Sequence, residues 1–238
     1  MKKTSILILS FIALISFNSC HKVIGDGPVV TETRNHVNFT GINLSLYAEL
    51  YYTESNEFKV ELHAQQNILD VIETFVMNGN ELRVKTRNDV NIRSHDPVII
   101  HISAPDITSL IVRGSGNIKV TQPISPSTLR TFVNGSGNIS ISKMETTNIT
   151  GDISGSGDIE IRDGSANHST LNISGSGNIN MLNLMTKTAN ATISGSGSIR
   201  LFTTEMLDAR ISGSGEILYK GSPAIRSVIS GSGRLIRL

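Results

Sequence analysis

From Leu110 onward, aliphatic residues recur on a steady beat around a short polar interruption. Val112, Val133, Ile153, Ile173, Ile193, Ile211 and Ile229 each stand two positions before a Gly-Ser-Gly triplet. Ile118, Ile139, Ile159, Ile179, Ile199, Ile217 and Leu235 each stand two positions after one. The residues between aliphatic and triplet are mostly polar: Arg113, Asn134, Ser154, Ser174, Ser194, Ser212 and Ser230 before it, Asn117, Asn138, Asp158, Asn178, Ser198, Glu216 and Arg234 after it. Alternation with a period of two predicts strands with one buried face. Each unit therefore reads as strand, glycine turn, strand and a connector of variable sequence.

The triplets begin at Gly114, Gly135, Gly155, Gly175, Gly195, Gly213 and Gly231, in steps of 21, 20, 20, 20, 18 and 18 residues. They close at Gly116, Gly137, Gly157, Gly177, Gly197, Gly215 and Gly233. Glycine at both flanks permits backbone angles in which a β-branched residue would clash. A period near 20 marks a solenoid, each repeat being one turn of a stack. Equivalent positions then form ladders, Ile over Ile and Asn over Asn. Strands about 4.8 Å apart give seven coils a length of roughly 34 Å. Gross burial of each aliphatic is worth roughly 1.5–3 kcal/mol, much of it offset by backbone ordering, so stability belongs to the stack. Hairpins in an antiparallel sandwich are the competing arrangement. Crossovers between parallel strands are nearly always right-handed, and the connectors break any six-residue register. The expected fold is an all-β, right-handed parallel β-helix, with Gly-Ser-Gly repeats over 110–238. The two final steps of 18 predict tighter last coils.

Residues 29–109 have another texture. They carry no Gly-Ser-Gly, yet strand signals persist at Val37-Asn38-Phe39, Leu44-Ser45-Leu46-Tyr47, Phe58-Lys59-Val60-Glu61-Leu62, Leu82-Arg83-Val84-Lys85 and Val98-Ile99-Ile100-His101-Ile102. Asn78-Gly79-Asn80 predicts a tight turn. Residues 67–76 read equally as helix or strand. The section is expected to be the divergent, capping start of the same solenoid, since terminal repeats must cover an open end; an independent domain is the alternative.

Residues 1–19 read as a targeting segment: Lys2 and Lys3 supply positive charge, and Ile6 to Phe17 a short apolar stretch. Cys20, the only cysteine, follows Ser19, and the arrangement resembles a bacterial lipoprotein processing site. That resemblance implies cleavage before Cys20 and lipid on its sulfur and new amino group. The membrane is thus an expected partner, and a multi-chain anchor holds stably. Residues 20–28 are expected to be a lipid-anchored tether. With no second cysteine there is no intramolecular disulfide.

Charge divides along the chain. Residues 20–109 hold seven Lys/Arg and twelve Asp/Glu, while residues 110–238 hold twelve and eight. This balance excludes a strongly basic nucleic-acid binder. Weak complementarity between neighbouring molecules is one consequence. Another follows from the last coil, whose edge of unpaired backbone predicts self-association, blunted by Arg234 and Arg237.

Chemistry is sparse. A phosphate loop needs a helix after its glycines, and here a strand follows each time. Calcium ladders need carboxylates on adjacent coils, and only Asp158 and Glu216 follow a triplet. His21, His36, His63, His95, His101 and His168 show no metal-ligand spacing, so neither metal nor cofactor is expected. Asp152, Asp158, Glu160 and Asp163 form the densest acidic cluster of the repeats, with Asp158, Glu160 and Arg162 facing outward from one strand. They read as solvated surface, and no catalytic residue is assigned.

Gly-Ser-Gly-Asn-Ile at 114–118, 135–139 and 175–179, the variant Gly155-Ser156-Gly157-Asp158-Ile159, and an opening of Gly25-Asp26-Gly27-Pro28-Val29-Val30-Thr31-Glu32-Thr33-Arg34 before Phe39-Thr40-Gly41-Ile42 resemble the auto-transporter adhesin, head GIN domain family of Bacteroidetes-type bacteria. The resemblance covers nearly all of the mature chain. It implies a pectin-lyase-like β-helix without recognised catalytic residues, and an adhesion role. The expected function is a non-enzymatic, lipid-anchored envelope protein, in the outer membrane, binding cells or glycans through a Ser/Thr/Asn-rich face. Only Phe132, Phe202 and Tyr219 offer aromatic surface in the repeats. A periplasm-facing structural or assembly protein is the second expectation, since His21-Lys22-Val23-Ile24 carries no acidic run. A polysaccharide-active enzyme on the same scaffold is the third.

Overall fold

The computed structural model describes residues 21–77, 80–88, 90–93 and 96–238. Residues 1–19, expected to be a targeting segment, Cys20 and His95 lie outside the described residues, as does the side chain of His21. The front of the chain supplies β1 (His21–Ile24), β2 (Val29–Thr33), β3 (Gly41–Ser45), β4 (Glu49–Glu54), β5 (Lys59–Gln65), the one-turn helix α1 (Gln66–Leu69), β6 (Ile72–Met77), β7 (Glu81–Thr86), β8 (Val90–Arg93) and β9 (Ile99–Ala104). The repeats supply β10 (Ser109–Gly114), β11 (Asn117–Val120), β12 (Thr128–Gly135), β13 (Asn138–Ile141), β14 (Met144–Gly155), β15 (Asp158–Ile161), β16 (Gly164–Gly175), β17 (Asn178–Gly195), β18 (Ser198–Gly213), β19 (Glu216–Lys220), β20 (Ala224–Gly231) and β21 (Arg234–Arg237).

The repeat strands stack in parallel, which makes the protein a β-solenoid of about 20-residue coils. Val112, Val133, Ile153, Ile173, Ile193, Ile211 and Ile229 form one ladder. Ile118, Ile139, Ile159, Ile179, Ile199, Ile217 and Leu235 form a second. Twelve of the fourteen are buried; Ile229 is 42% exposed and Leu235 half-buried, since among the described residues no strand pairs with the outer side of β20 or β21. The connectors are more regular than their sequences: Met144, Gly164 and Leu184 stack as a third column. The shorter steps are absorbed at one corner. Register slips between Met181 and Met185 and again between Thr186 and Thr188, which leaves the ladders on either side intact.

Spatial order departs from chain order at the front. Leu44 pairs with Val112 on one side and with Val84 on the other. Leu50 likewise lies between Ile118 and Ile100. Residues 41–54 therefore make a regular coil, six residues separating Leu44 from Leu50 as they separate Val112 from Ile118. Leu46-Tyr47-Ala48 takes the place of Gly-Ser-Gly. Beyond this coil the chain turns back on itself: β5 runs antiparallel to β9, β2 to β5, and β6 to β7. The ambiguous stretch 67–76 is both things at once, the end of α1 followed by β6. Of the expected turn, Asn78 and Gly79 lie outside the described residues; the Asn80 N–H donates to the Met77 carbonyl at 3.1 Å, with Asn80 at φ 61°. A single buried cluster runs from Phe39 to Tyr219.

The stretch expected to be a tether is partly folded. β1 pairs in parallel with β8 in a two-stranded ribbon separate from the main sheet. Asn67 fastens it, its side-chain amide donating to the Ile24 carbonyl at 2.6 Å and its Oδ1 accepting from the Asp26 N–H at 3.1 Å.

Candidate functional site

The triplets are architecture, and the two glycines of each do different work. Gly114, Gly135, Gly155, Gly175, Gly195, Gly213 and Gly231 have positive φ; Gly116, Gly137, Gly157, Gly177, Gly197, Gly215 and Gly233 do not. At the second position space alone is what matters, whereas from Gly135 onward the first position needs both the positive φ and the room, since a Cβ there would drive into the carbonyl of the preceding triplet's first glycine. A Cβ on Gly157 would drive into the Gly137 carbonyl of the preceding coil and come within 2.7 Å of Val133 Cγ1. The amides of Ser136 and Gly137 both donate to the Gly114 carbonyl at 2.9 Å. Those N–H groups are consumed by the stack, which removes the donors a phosphate cradle needs.

Outward-facing residues beside the second ladder line a groove of about 760 Å³ across several coils. Its first row is Asn138, Asp158, Asn178 and Ser198, a column that Asn117 continues beyond the groove. These side chains largely satisfy one another: Asn138 Nδ2 donates to Asn117 Oδ1 at 2.8 Å, and the Asp158 N–H donates to Asn138 Oδ1 at 3.0 Å. The second row is Lys119, Ser140, Glu160, Asn180 and Arg200. Lys119 pairs with Glu49 at 2.7 Å, a hydrogen bond that holds its ammonium above the ordinary lysine value. Arg162 pairs with Glu160 at 2.8 Å. Arg200 is exposed and has no ion pair among the described residues.

The register continues this second row into the front section, where Tyr51 follows Lys119 and His101 follows Tyr51. The rings of Tyr51 and His101 stack at 5.3 Å, and Lys119 Nζ lies 5.6 Å from the Tyr51 ring. His63 meets His101 edge-on at 5.2 Å and shares a 2.8 Å hydrogen bond with Thr31. Aromatic surface sparse in the repeats is thus brought to the same line by residues 51 and 101. Sequence spacing could not show this, because the pairing partner of Lys119 lies 68 residues earlier.

The acidic cluster is divided by the fold. Asp158 and Glu160 line the groove, whereas Asp152 lies on another face, pairing with Arg130 at 3.3 Å and accepting from Asn172 at 2.9 Å. His36 and His168 each bond a threonine, Thr74 at 2.8 Å and Thr188 at 2.7 Å. Among the described residues no group of three His, Cys, Asp or Glu side chains could hold a metal ion. No helix among them is long and apolar enough to cross a membrane.

The family model described as "Putative auto-transporter adhesin, head GIN domain" matches residues 38–223. The chain belongs to this head GIN domain family. No curated protein matches it. Among solved structures, a putative adhesin from Bacteroides fragilis is 25% identical and superposes with a TM-score of 0.86, over 91% of this chain and all of that one. A putative lipid binding protein from Parabacteroides distasonis is 24% identical with a TM-score of 0.78, over 91% of this chain and 99% of that one. A putative adhesin from Parabacteroides merdae is 20% identical with a TM-score of 0.73, over 92% and 99%. The last two share the head GIN fold. The family's adhesin description places its members in the cell envelope or at the cell surface.

Proposed function

We propose that this head GIN domain protein is a non-enzymatic adhesin, anchored in the outer membrane by lipid on Cys20, that holds an extended glycan along its groove. The continuous outward row from His101 and Tyr51 through Lys119, Ser140, Glu160 and Asn180 to Arg200 carries this reading. It sets stacking rings at one end, hydrogen-bonding side chains in the middle and an unpaired guanidinium at the other end. A polymer lying along the solenoid axis meets one such residue per coil, about 4.8 Å apart. The outer edges of the stacked Tyr51 and His101 rings give a sugar apolar surface, and amide and hydroxyl groups suit its hydroxyls. The groove carboxylates are engaged with Asn178 and Arg162, so adhesion accounts for them better than hydrolysis.

Binding of purified protein to an array of bacterial and host polysaccharides tests the reading. Tyr51→Ala and Arg200→Glu are expected to reduce retention together, while Phe132→Ala on another face leaves it unchanged. Equal retention by all three would overturn the groove assignment. Protease treatment of intact cells tests the location: cleavage with periplasmic controls untouched supports external display, and protection until the outer membrane is broken favours a periplasm-facing structural role.

A further inference from the structure

A second cavity, of about 550 Å³, opens at the other side of the front section. It sits where the column of Gly-Ser-Gly turns gives way to Leu46-Tyr47-Ala48, and both Leu46 and Tyr47 line it. In the seven repeats the middle residue of this turn is serine. Here it is Tyr47, 72% exposed, next to a buried Leu46. Val98 lies deep in the lining, and β8 contributes Val90 and Ile92. From β1 come Lys22 and Ile24, the latter 56% exposed. An apolar pocket flanked by large exposed hydrophobic residues marks a binding site rather than ordinary surface.

One wall is the β1–β8 ribbon, and a two-stranded ribbon outside a larger sheet is marginal in water by itself. Its side-chain fastening comes from Asn67, with Val23 and Ile92 resting against the core. An apolar occupant would cover Ile24 and the half-buried Val90 and Ile92 of the lining. The chain itself brings one to this place: β1 starts at His21, the residue after Cys20.

We infer that this pocket receives an acyl chain of the lipid on Cys20. The inference rests on the anchoring proposed above. One chain lies against Leu46, Ile92 and Val98 while the others stay in the bilayer; a multi-chain anchor can divide its chains in this way and still hold. Lys22 and Arg93, both exposed in the lining, keep their charges in water while their stems cover the chain. The solenoid is then fixed in attitude to the membrane instead of swinging on a loose leash.

The test compares the full-length protein, purified from envelopes in one non-ionic detergent, with its Cys20→Ser variant. Mass spectrometry first establishes whether Cys20 is acylated. Hydrogen exchange is then expected to be about tenfold slower at amides of residues 46–47 and 90–93 in the acylated protein. The Cys20→Ser variant is expected to take up one equivalent of cis-parinaric acid and the acylated protein none. Tyr47→Asp, at an exposed position that should not disturb folding, added to Cys20→Ser should abolish the uptake. Equal exchange and equal uptake by acylated and unacylated protein would overturn the inference and leave the anchor intact. An unmodified Cys20 would overturn the anchor and the occupant together.

Discussion

Asn178 closes on Asp158 twice: its backbone N–H and its side-chain amide donate to the same carboxylate oxygen, at 3.1 and 2.8 Å. Asp158 is the one carboxylate in a column otherwise built of asparagine from Asn117 to Asn178. Its role there is that of an acceptor, which an amide oxygen can fill. Asp158→Asn is expected to leave stability nearly unchanged, and Asp158→Leu to cost up to about 1 kcal/mol by removing the acceptor of the Asn178 side-chain amide, while the Asn178 N–H keeps its bond to the Gly157 carbonyl at 3.3 Å. Urea unfolding of the two variants checks this. A large loss with asparagine would show that the charge itself matters.

The two kinds of turn glycine make a second comparison. Gly114 has φ 109° and open space where a Cβ would stand, so Gly114→Ala meets backbone strain alone, about 1–3 kcal/mol. Gly157 faces the backbone of the preceding coil, and Gly157→Ala must push two coils apart. The second variant is expected to lower the thermal midpoint further and to increase exchange at residues 133–139. Equal midpoints would refute the steric role.

Tyr52 is fully buried, and its hydroxyl donates to the Ala104 carbonyl at 3.1 Å. Burial, then the charges of Glu54 and Asp106, hold its phenol far above the ordinary value near 10.0. The unfolded chain therefore gives up this proton first, and stability falls as pH rises beyond about 10. Between about pH 8 and about pH 11, Tyr52→Phe should lose less of its urea midpoint than the parent protein. Parallel losses would assign the alkaline effect elsewhere.

Every residue of β20 is exposed, Ile225 at 45% and Val228 at 56%, and the outer edge of the strand has no partner among the described residues. Such an edge is a template for another strand. Purified protein is expected to self-associate as its concentration rises, and Val228→Lys to weaken the association. Sedimentation velocity that finds a monomer at all concentrations would end this proposal.

The repeats were legible because every residue pair in their ladders reports the same alternation, and because glycine marks where coils touch. The coil at 41–54 was not. Its turn is Leu46-Tyr47-Ala48, with no glycine to mark it, although Leu44 and Leu50 keep the six-residue spacing of Val112 and Ile118. Buried polar residues also escaped notice. Thr131 looks like surface in sequence, yet it lies inside with its hydroxyl on the Thr150 carbonyl at 3.2 Å. The groove was half legible. Asp158, Glu160 and Arg162 were placed outward from alternation alone, whereas Tyr51 and His101 joined them only through pairings between distant strands.

Because β3 and β4 receive later strands on both sides, the front of the molecule is locked in size: neither β7 nor β9 can be removed without leaving Leu44 or Leu50 without a neighbour. The coils from β12 to β18 obey no such restriction, since each contacts only the one before and the one after. A block of about 20 residues can be gained or lost there by a single duplication or deletion, and every ladder closes again. The length of the solenoid is therefore a quantity that evolution can adjust one coil at a time, while the front section stays constant.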